Sequence, residues 1–381
     1  MSTALHRRDF LRIAAATGLC PLAMAQTTSG ASSRVSDHEA LAYEKLDDGQ
    51  VVCLLCPHQC TVPDGGRGLC GVRENQGGVY KTLVYGRVCA AHVDPIEKKP
   101  LFHFLPGTRA YSIATAGCNV ECQFCQNWQI SQTRPEDIRS QDMPPATVIE
   151  QARRHDCKTI AYTYSEPTVF YEYVLDTARA SKEAGVHSVT ISNGFIQADP
   201  MKRLCEVLSA VKIDLKAFTE EFYRRYVRGR LRPVLDTLEL LKAQGMHFEL
   251  VTLLIPGLND SEDEVRQMSR WVVKNLGVDV PMHFTRFHPA YKMTNLSQTP
   301  PSTLVRAREI AVSEGVHYAY VGNLPGHKYE NTYCHACGKR IVERYSMYVG
   351  EVGIKDGKCA HCGAPIPGVW EKPGGPPGTS S

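Results

Sequence analysis

Cys118, Cys122 and Cys125 lie in the stretch Gly117-Cys118-Asn119-Val120-Glu121-Cys122-Gln123-Phe124-Cys125, a C-x3-C-x2-C spacing. Three thiolates from one loop can hold three corners of a four-iron cluster, which normally takes four protein ligands. The remaining iron is then open, and an open metal position is where a small molecule binds and reacts. Two further cysteine groups have ligand-like spacing. Cys334-x2-Cys337 and Cys359-x2-Cys362 are two knuckles separated by 21 residues. Gly338 and Gly363 follow the second cysteine of each, where a tight turn needs glycine. Four thiolates so spaced close a tetrahedral structural site of the zinc-ribbon kind, with rubredoxin-like iron as the rival. Cys53, Cys56, Cys60 and Cys70 form the third group, C-x2-C-x3-C-x9-C, and the flexible Gly65-Gly66-Arg67-Gly68 lets Cys70 fold back. This set suits either zinc, as a structural clamp, or an auxiliary iron–sulfur cluster, as an electron relay.

The chain has 15 cysteines, and grouping at these spacings favours metal over disulfides. Cys20, Cys89, Cys157 and Cys205 stand alone and read as buried small apolar residues. With 381 residues there is room for about two or three domains. A content of 43% hydrophobic and 22% charged residues is that of an ordinary globular protein, and a net charge of +3 makes no case for nucleic acid.

The elements that must position these ligands alternate from residue 106 onward. The apolar run Tyr111-Ser112-Ile113-Ala114-Thr115-Ala116 is a buried strand leading directly into the C-x3-C-x2-C loop. Strands are expected next at 159–164, 187–192, 211–215, 247–254, 282–287 and 316–321. Helical patterns fall between them at about 146–155, 167–184, up to 244, 261–276 and 301–313, with Gly185 and Gly245 as stop signals. Such βα alternation means a parallel sheet, and about six units suit a partial (β/α)6 TIM-like barrel in the α/β class. Chemistry in such a fold lies at the carboxyl ends of the strands. There the sequence places Tyr164-Ser165-Glu166-Pro167, Ser192-Asn193-Gly194, Asp214-Leu215-Lys216 and Arg286-Phe287-His288-Pro289. Lys98 and Lys99 suit either the barrel mouth or a charged loop, and Tyr162 and Tyr164 suit either packing or a place near the chemistry.

The N-terminus carries a targeting pattern. His6-Arg7-Arg8-Asp9-Phe10-Leu11 has twin arginines, 13–24 is an Ala-rich apolar stretch, and Ala23-Met24-Ala25 is an A-x-A cleavage site. No segment has the eighteen or so continuous apolar residues of a membrane span. The organisation expected is a twin-arginine signal at 1–25, a Cys-rich segment at 26–105, the partial barrel at 106–325, a zinc-ribbon-like module at 326–370 and a disordered, Pro/Gly/Ser-rich tail at 371–381.

The chain resembles the radical S-adenosylmethionine (SAM) enzyme of the AmmeMemoRadiSam system, a family related to the pyruvate formate-lyase activating enzymes. The matching stretches are Cys56-Pro57-His58-Gln59-Cys60, Asp94 to Phe104, Gly117 to Ser131, Tyr162 to Pro167, Asp214-Leu215-Lys216, Ile255 to Asp260, Phe287-His288-Pro289 and Gly322-Asn323. The resemblance implies a radical SAM partial barrel with a 4Fe-4S cluster on Cys118, Cys122 and Cys125. The open iron would chelate SAM, and reductive cleavage would give a 5′-deoxyadenosyl radical for hydrogen abstraction. It also implies SAM contacts. Glu166 stands where the family has a Gly-Gly-Glu motif toward the SAM amino group, although the two glycines are absent here. Asn193 matches a ribose-contacting Asn-Gly, Asp214 and Lys216 match an Asp-x-Lys, and His288 matches a histidine near the adenosyl group. A reductant such as flavodoxin or ferredoxin is implied, with a partner protein or a small molecule as substrate. The alternative is a metal-bearing electron carrier or zinc-ribbon adaptor without SAM chemistry. The twin-arginine pattern points to the periplasm and SAM, a cytoplasmic metabolite, to the cytoplasm.

Overall fold

The computed structural model describes residues 35–370; the twin-arginine pattern, Cys20 and the tail at 371–381 lie outside the described residues. The main sheet has eight strands: β1 (Ala90–Pro95), β2 (Arg109–Ala114), β3 (Thr159–Tyr162), β4 (His187–Ser192), β5 (Ala210–Asp214), β6 (Phe248–Leu254), β7 (Met282–Arg286) and β8 (Ala319–Gly322). Each strand lies beside its predecessor, so the order is sequential, with β1 and β8 at the edges. From β2 to β8 all pairings are parallel, and β1 pairs antiparallel with β2.

Helices α1 (Pro145–Arg154), α2 (Tyr171–Glu183), α3 (Ala198–Cys205), α4 (Leu231–Ala243), α5 (Glu262–Asn275) and α6 (Pro301–Ser313) provide the crossovers. They start and stop as their residues dictate. Pro145 and Pro301 open α1 and α6, where a missing N–H costs nothing. Ser261 caps α5 by accepting from Glu264 N, with Glu262, Asp263 and Glu264 in the first turn. Gly185 and Gly245, at φ 71° and 65°, follow the ends of α2 and α4.

Seven parallel strands were legible as runs. Strand β1 was not, and it lies ahead of the boundary expected at 105. Its residues Ala90-Ala91-His92-Val93-Asp94-Pro95 are polar at alternate positions and end in proline, as a half-exposed edge strand allows. Val316 to Tyr318 precede β8 rather than opening it.

The lower end of the sheet is plugged by the segment after β1. Ile96, Leu101, Phe104 and Leu105 pack on Ala110, Ala161, Val189 and Ala210, near the amino ends of β2 to β5. Beneath the inner face, Glu249 of β6 is fully buried and accepts from Phe102 N (3.0 Å), His103 N (2.7 Å) and His283 Nε2 (2.7 Å). Burial alone raises its carboxyl, but the neighbouring imidazoles of His247 and His283 outweigh this and hold it well below the usual carboxylate range. Burial lowers His283 and pushes His103 down to about 4.

Both kinds of shift act in one direction. The unfolded chain binds more protons than the folded one below the ordinary histidine value of 6.5, and again below the ordinary carboxylate value of 4.5. Stability is therefore expected to fall as pH drops from about 6.5 through 4 and below, read as a declining denaturant midpoint. Glu249→Ala strands two backbone N–H groups and an imidazole, and is expected to cost about 3–5 kcal/mol near neutral pH. An unchanged midpoint in that variant would show that the plug does not depend on this carboxylate.

The C-terminal residues form small antiparallel sheets, Thr332–Tyr333 with Arg340–Tyr345 and Tyr348–Val352, and Ile354–Lys355 with Lys358–Cys359. They pack on Phe102, Tyr318 and Tyr320 through Cys334, Ile341, Cys359 and Ile366. Val369 exchanges backbone hydrogen bonds with His103 and Leu105.

Candidate functional site

Period-2 alternation aims one face of each central strand inward. Ile191 and Asn193, Lys212 and Asp214, Val251 and Leu253, and His283 and Thr285 all line one cavity of about 860 Å³. Cys118, Cys122 and Cys125 line the same cavity, as do Ser165, Glu166, Lys216 and His288. The three cysteines, the four strand-end segments and the cavity thus meet at the carboxyl ends of the strands.

The cysteine loop is held by its neighbours. Asn119 Nδ2 donates to Phe195 O (2.6 Å), Glu121 N to Val227 O (2.9 Å) and Gln123 N to Tyr226 O (2.9 Å). Gly117 has φ +98°, and a Cβ there would lie 2.5 Å from Val72 Cγ1, so glycine is required twice over. Burial, then Glu166 and the neighbouring thiols, push the Cys118 thiol well up. Burial pushes Cys122 up to about 12 against the pull of Lys216. Thiols crowded this way resist ionising unless a cation joins them. A donor set that is soft, clustered and in need of positive charge fits an iron–sulfur cluster.

Glu166 is buried and heavily engaged. Its Oε1 accepts from Thr168 N (3.1 Å), Thr168 Oγ1 (2.7 Å) and Ser192 Oγ (2.7 Å), and its Oε2 from Asn193 N (2.8 Å). Burial raises its carboxyl despite these donors. One lone pair on Oε2 is left for a ligand donor. Ser165 Oγ, buried in the cavity wall, has no hydrogen-bond partner. In the strand turn before Glu166, Tyr164 has φ 66°, a left-handed backbone that is uncommon for a bulky residue. Its hydroxyl donates to Asp94.

Asn193 turns to the cysteine loop. Its Nδ2 donates to Asn119 Oδ1 (2.9 Å) and faces Cys118 Sγ (3.9 Å), and its Oδ1 accepts from Phe195 N. At the next residue Gly194 has φ +72°, with Ile213 and Val234 within 3.2 Å of a Cβ position. Asp214 lies between Lys212 and Lys216, whose Nζ is 3.2 Å away. Burial would raise Asp214, but the two ammonium groups hold it down at about 2. Asn259, in the loop after β6, donates to Lys216 O (2.6 Å) and Leu253 O (2.9 Å) and so ties the Lys216 strand end to its neighbour. His288 is exposed at the rim.

Several cavity residues escaped sequence reasoning. Lys212 shares a strand face with Asp214, and His283 with Thr285, so inward alternation was the available signal. Lys98 and Lys99, left undecided by sequence, line the cavity, where both reach Asp94 (2.8 and 2.6 Å). Burial pushes Lys99 down to about 8 against the pull of Asp94. Of the tyrosines in doubt, Tyr162 is buried and Tyr164 lines the cavity.

At the C-terminus the Sγ atoms of Cys334, Cys337, Cys359 and Cys362 all lie within 4.8 Å of one another, a set able to hold a metal ion. Cys334 and Cys362 are 3.6 Å apart and Cys337 and Cys359 3.9 Å.

Residues 112–269 match the family model of the Radical SAM superfamily. An uncharacterized protein of Methanocaldococcus jannaschii is 44% identical over 330 residues, covering 86% of this chain and 98% of that protein. The pyruvate formate-lyase 1-activating enzyme of Escherichia coli K12 is 23% identical over 216 residues, 52% of this chain and 87% of the enzyme. Among solved structures, a radical SAM methyltransferase from Sphaerobacter thermophilus is similar with a TM-score of 0.46 at 16% identity, over 76% of each chain. The three-cysteine loop that opens into the cavity at the strand ends lies within residues 112–269, and the chain therefore carries a domain of the Radical SAM superfamily.

Proposed function

We propose that this protein is a radical SAM enzyme of the AmmeMemoRadiSam group, working on a partial (β/α)6 barrel scaffold. The observation that carries the reading is the convergence of Cys118, Cys122 and Cys125 with Ser165, Glu166, Asn193, Asp214 and Lys216 on one cavity. Cys118, Cys122 and Cys125 would hold a 4Fe-4S cluster there, and the chemistry it would supply is the one-electron reductive cleavage of SAM that starts hydrogen abstraction from the substrate.

The chain's own residues bind and orient. Glu166 Oε2 accepts from the SAM ammonium, and Ser165 Oγ, which has no protein partner, lies in the cavity wall within reach of it. Lys216, fixed by Asp214 and by Asn259 beneath its backbone, meets the polar end of SAM. Asn193 spans the cysteine loop and the ribose side, and His288 closes the adenosyl side. The plug formed by Ile96 to Leu105 keeps water from the lower end of the cavity. Kinship to an activating enzyme supports glycyl-radical formation on a partner protein, and the remaining cavity supports a small molecule. A plain electron carrier or ribbon adaptor has no use for this cavity.

The test is reductive SAM cleavage. Anaerobically reconstituted protein with a flavodoxin, a ferredoxin or dithionite should release 5′-deoxyadenosine and methionine, slowly when substrate is absent. No 5′-deoxyadenosine from protein with an intact, reduced cluster would return the carrier reading.

The C-terminal set is proposed as a structural zinc site within a capping ribbon. Zinc–sulfur bonds of about 2.3 Å bring tetrahedral sulfurs to just under ~4 Å, in line with the observed separations. Elemental analysis of the full chain is expected to give a zinc ion that Cys334→Ser together with Cys359→Ser removes. Thermal stability should drop with it, because ligand binding there is folding free energy. Zinc-free protein with an unchanged melting temperature would sink this assignment.

A further inference from the structure

We propose that Cys53, Cys56, Cys60 and Cys70 hold a second iron–sulfur cluster that passes single electrons to the reaction site beside it. Cys53 lies at a strand end, Cys60 immediately before the paired strand Thr61–Val62, and Cys56 and Cys70 in the turns beside them. Cys53 ends the strand Val51–Cys53, and its N–H donates to Cys60 O (2.9 Å). Gln59, at φ 46°, closes the tight turn between Cys56 and Cys60.

Two donors buried in this segment have hydrogens without an oxygen or nitrogen acceptor. Arg73 is 1% exposed and Tyr80 is 0% exposed. Arg73 commits its two terminal nitrogens to Glu172 (3.0 and 2.5 Å), and its Nε–H has no acceptor. The Tyr80 hydroxyl likewise has no oxygen or nitrogen acceptor and faces the Cys53 thiol. A Cβ on Gly68 would lie 2.7 Å from the Tyr80 oxygen and 3.8 Å from Cys60 Sγ, which places the hydroxyl at the rim of the set. Leu69 N already donates to Cys60 Sγ (3.5 Å). The Leu69 N–H on Cys60 Sγ and the buried Tyr80 hydroxyl at the rim of the set suit metal-bound thiolates and cluster sulfides, whose potential such donors tune.

Spacing favours a cluster over a single ion. Among the described residues, the C-terminal four draw their sulfurs within 4.8 Å, as one tetrahedral ion requires, and the N-terminal four do not form such a group. Nor do Cys118, Cys122 and Cys125. A cluster puts each thiolate on a different iron and holds the sulfurs further apart.

The segments that carry the two sets touch. A Cβ at Gly117, the residue before Cys118, would lie 3.2 Å from Cys70 O. His58, between Cys56 and Cys60, donates through Nε2 to the carbonyl of Asn119, the residue after Cys118 (2.8 Å). The electron path is balanced: a low-potential one-electron donor of the flavodoxin or ferredoxin class is oxidised by one electron, the second cluster takes it up and gives it on, and the reaction cluster is reduced by one. No bond is made or broken in the relay. The relay rests on the radical SAM reading, whereas the presence of the cluster does not.

The experiment uses the full chain, reconstituted anaerobically with iron and sulfide. The triple variant Cys118→Ala, Cys122→Ala, Cys125→Ala is expected to keep iron, labile sulfide and a reducible paramagnetic signal. Adding Cys56→Ala and Cys70→Ala should remove them. In the triple variant, Tyr80→Phe should keep the iron and make the potential more negative, a shift that simple packing loss does not produce. In a chain with the reaction cysteines intact, Cys70→Ser should slow SAM cleavage driven by the donor protein at least about tenfold. Zinc in place of iron in the triple variant, iron that survives the added substitutions, or a potential indifferent to Tyr80→Phe overturns the second cluster. Donor-driven cleavage unaffected by Cys70→Ser overturns the relay. Failure of wild-type SAM cleavage with iron retained in the triple variant is a different result, and it strikes the reaction proposed above.

Discussion

Replacing any one of Cys118, Cys122 or Cys125 by alanine is expected to abolish SAM cleavage completely and to remove the cluster of the reaction site. Two remaining thiolates cannot retain a cluster normally held by three or four. The loop itself should survive, because its shape depends on Asn119, Glu121 and Gln123 bonding to Phe195, Val227 and Tyr226. The measurement is iron and sulfide content beside 5′-deoxyadenosine release, with thermal unfolding as the check on folding. Normal SAM cleavage in any of the three variants would end the assignment of this loop.

The second large effect lies in SAM affinity. Glu166→Gln and Lys216→Ala are each expected to weaken SAM binding roughly a hundredfold, since loss of a charged partner in a desolvated site costs about 1.5–3 kcal/mol. Iron content should stay as in wild type, because neither side chain is a ligand. In Glu166→Gln the new amide hydrogens must face donors, either Asn193 N–H or the Thr168 and Ser192 group. Lys216→Ala leaves Asp214 to Lys212 alone. Ser165→Ala gives a cleaner contrast. Its Oγ has no protein partner, so thermal stability should hold while SAM affinity falls about tenfold. Equilibrium binding on reconstituted protein decides the matter. Unchanged affinity in Glu166→Gln and Lys216→Ala together would mean that SAM lies elsewhere in the cavity.

What the sequence by itself determined is local. The C-x3-C-x2-C spacing, the C-terminal knuckles and their glycines each fit in a few residues. Ligand geometry there depends on chain reach rather than on the fold. The strands β2 to β8 were legible because buried parallel strands are short apolar runs bounded by turn residues. Strand β1 was not, because an edge strand with His92 and Asp94 carries no such run.

The tertiary structure decided which polar residues meet. Alternation could show that Lys212 and Asp214 share a face, but only the sequential winding brings that face together with His283, Glu166 and Lys99 around one space. The Arg73–Glu172 pair joins residues 99 apart, and His58 reaches Asn119 across 61. No spacing rule spans such separations, since loop-closure entropy grows only slowly with length and favours no partner. The choice of partner is made by packing. For the same reason Cys53, Cys56, Cys60 and Cys70 read in sequence as an isolated group, and only in the folded chain do they lie against the loop of Cys118, Cys122 and Cys125.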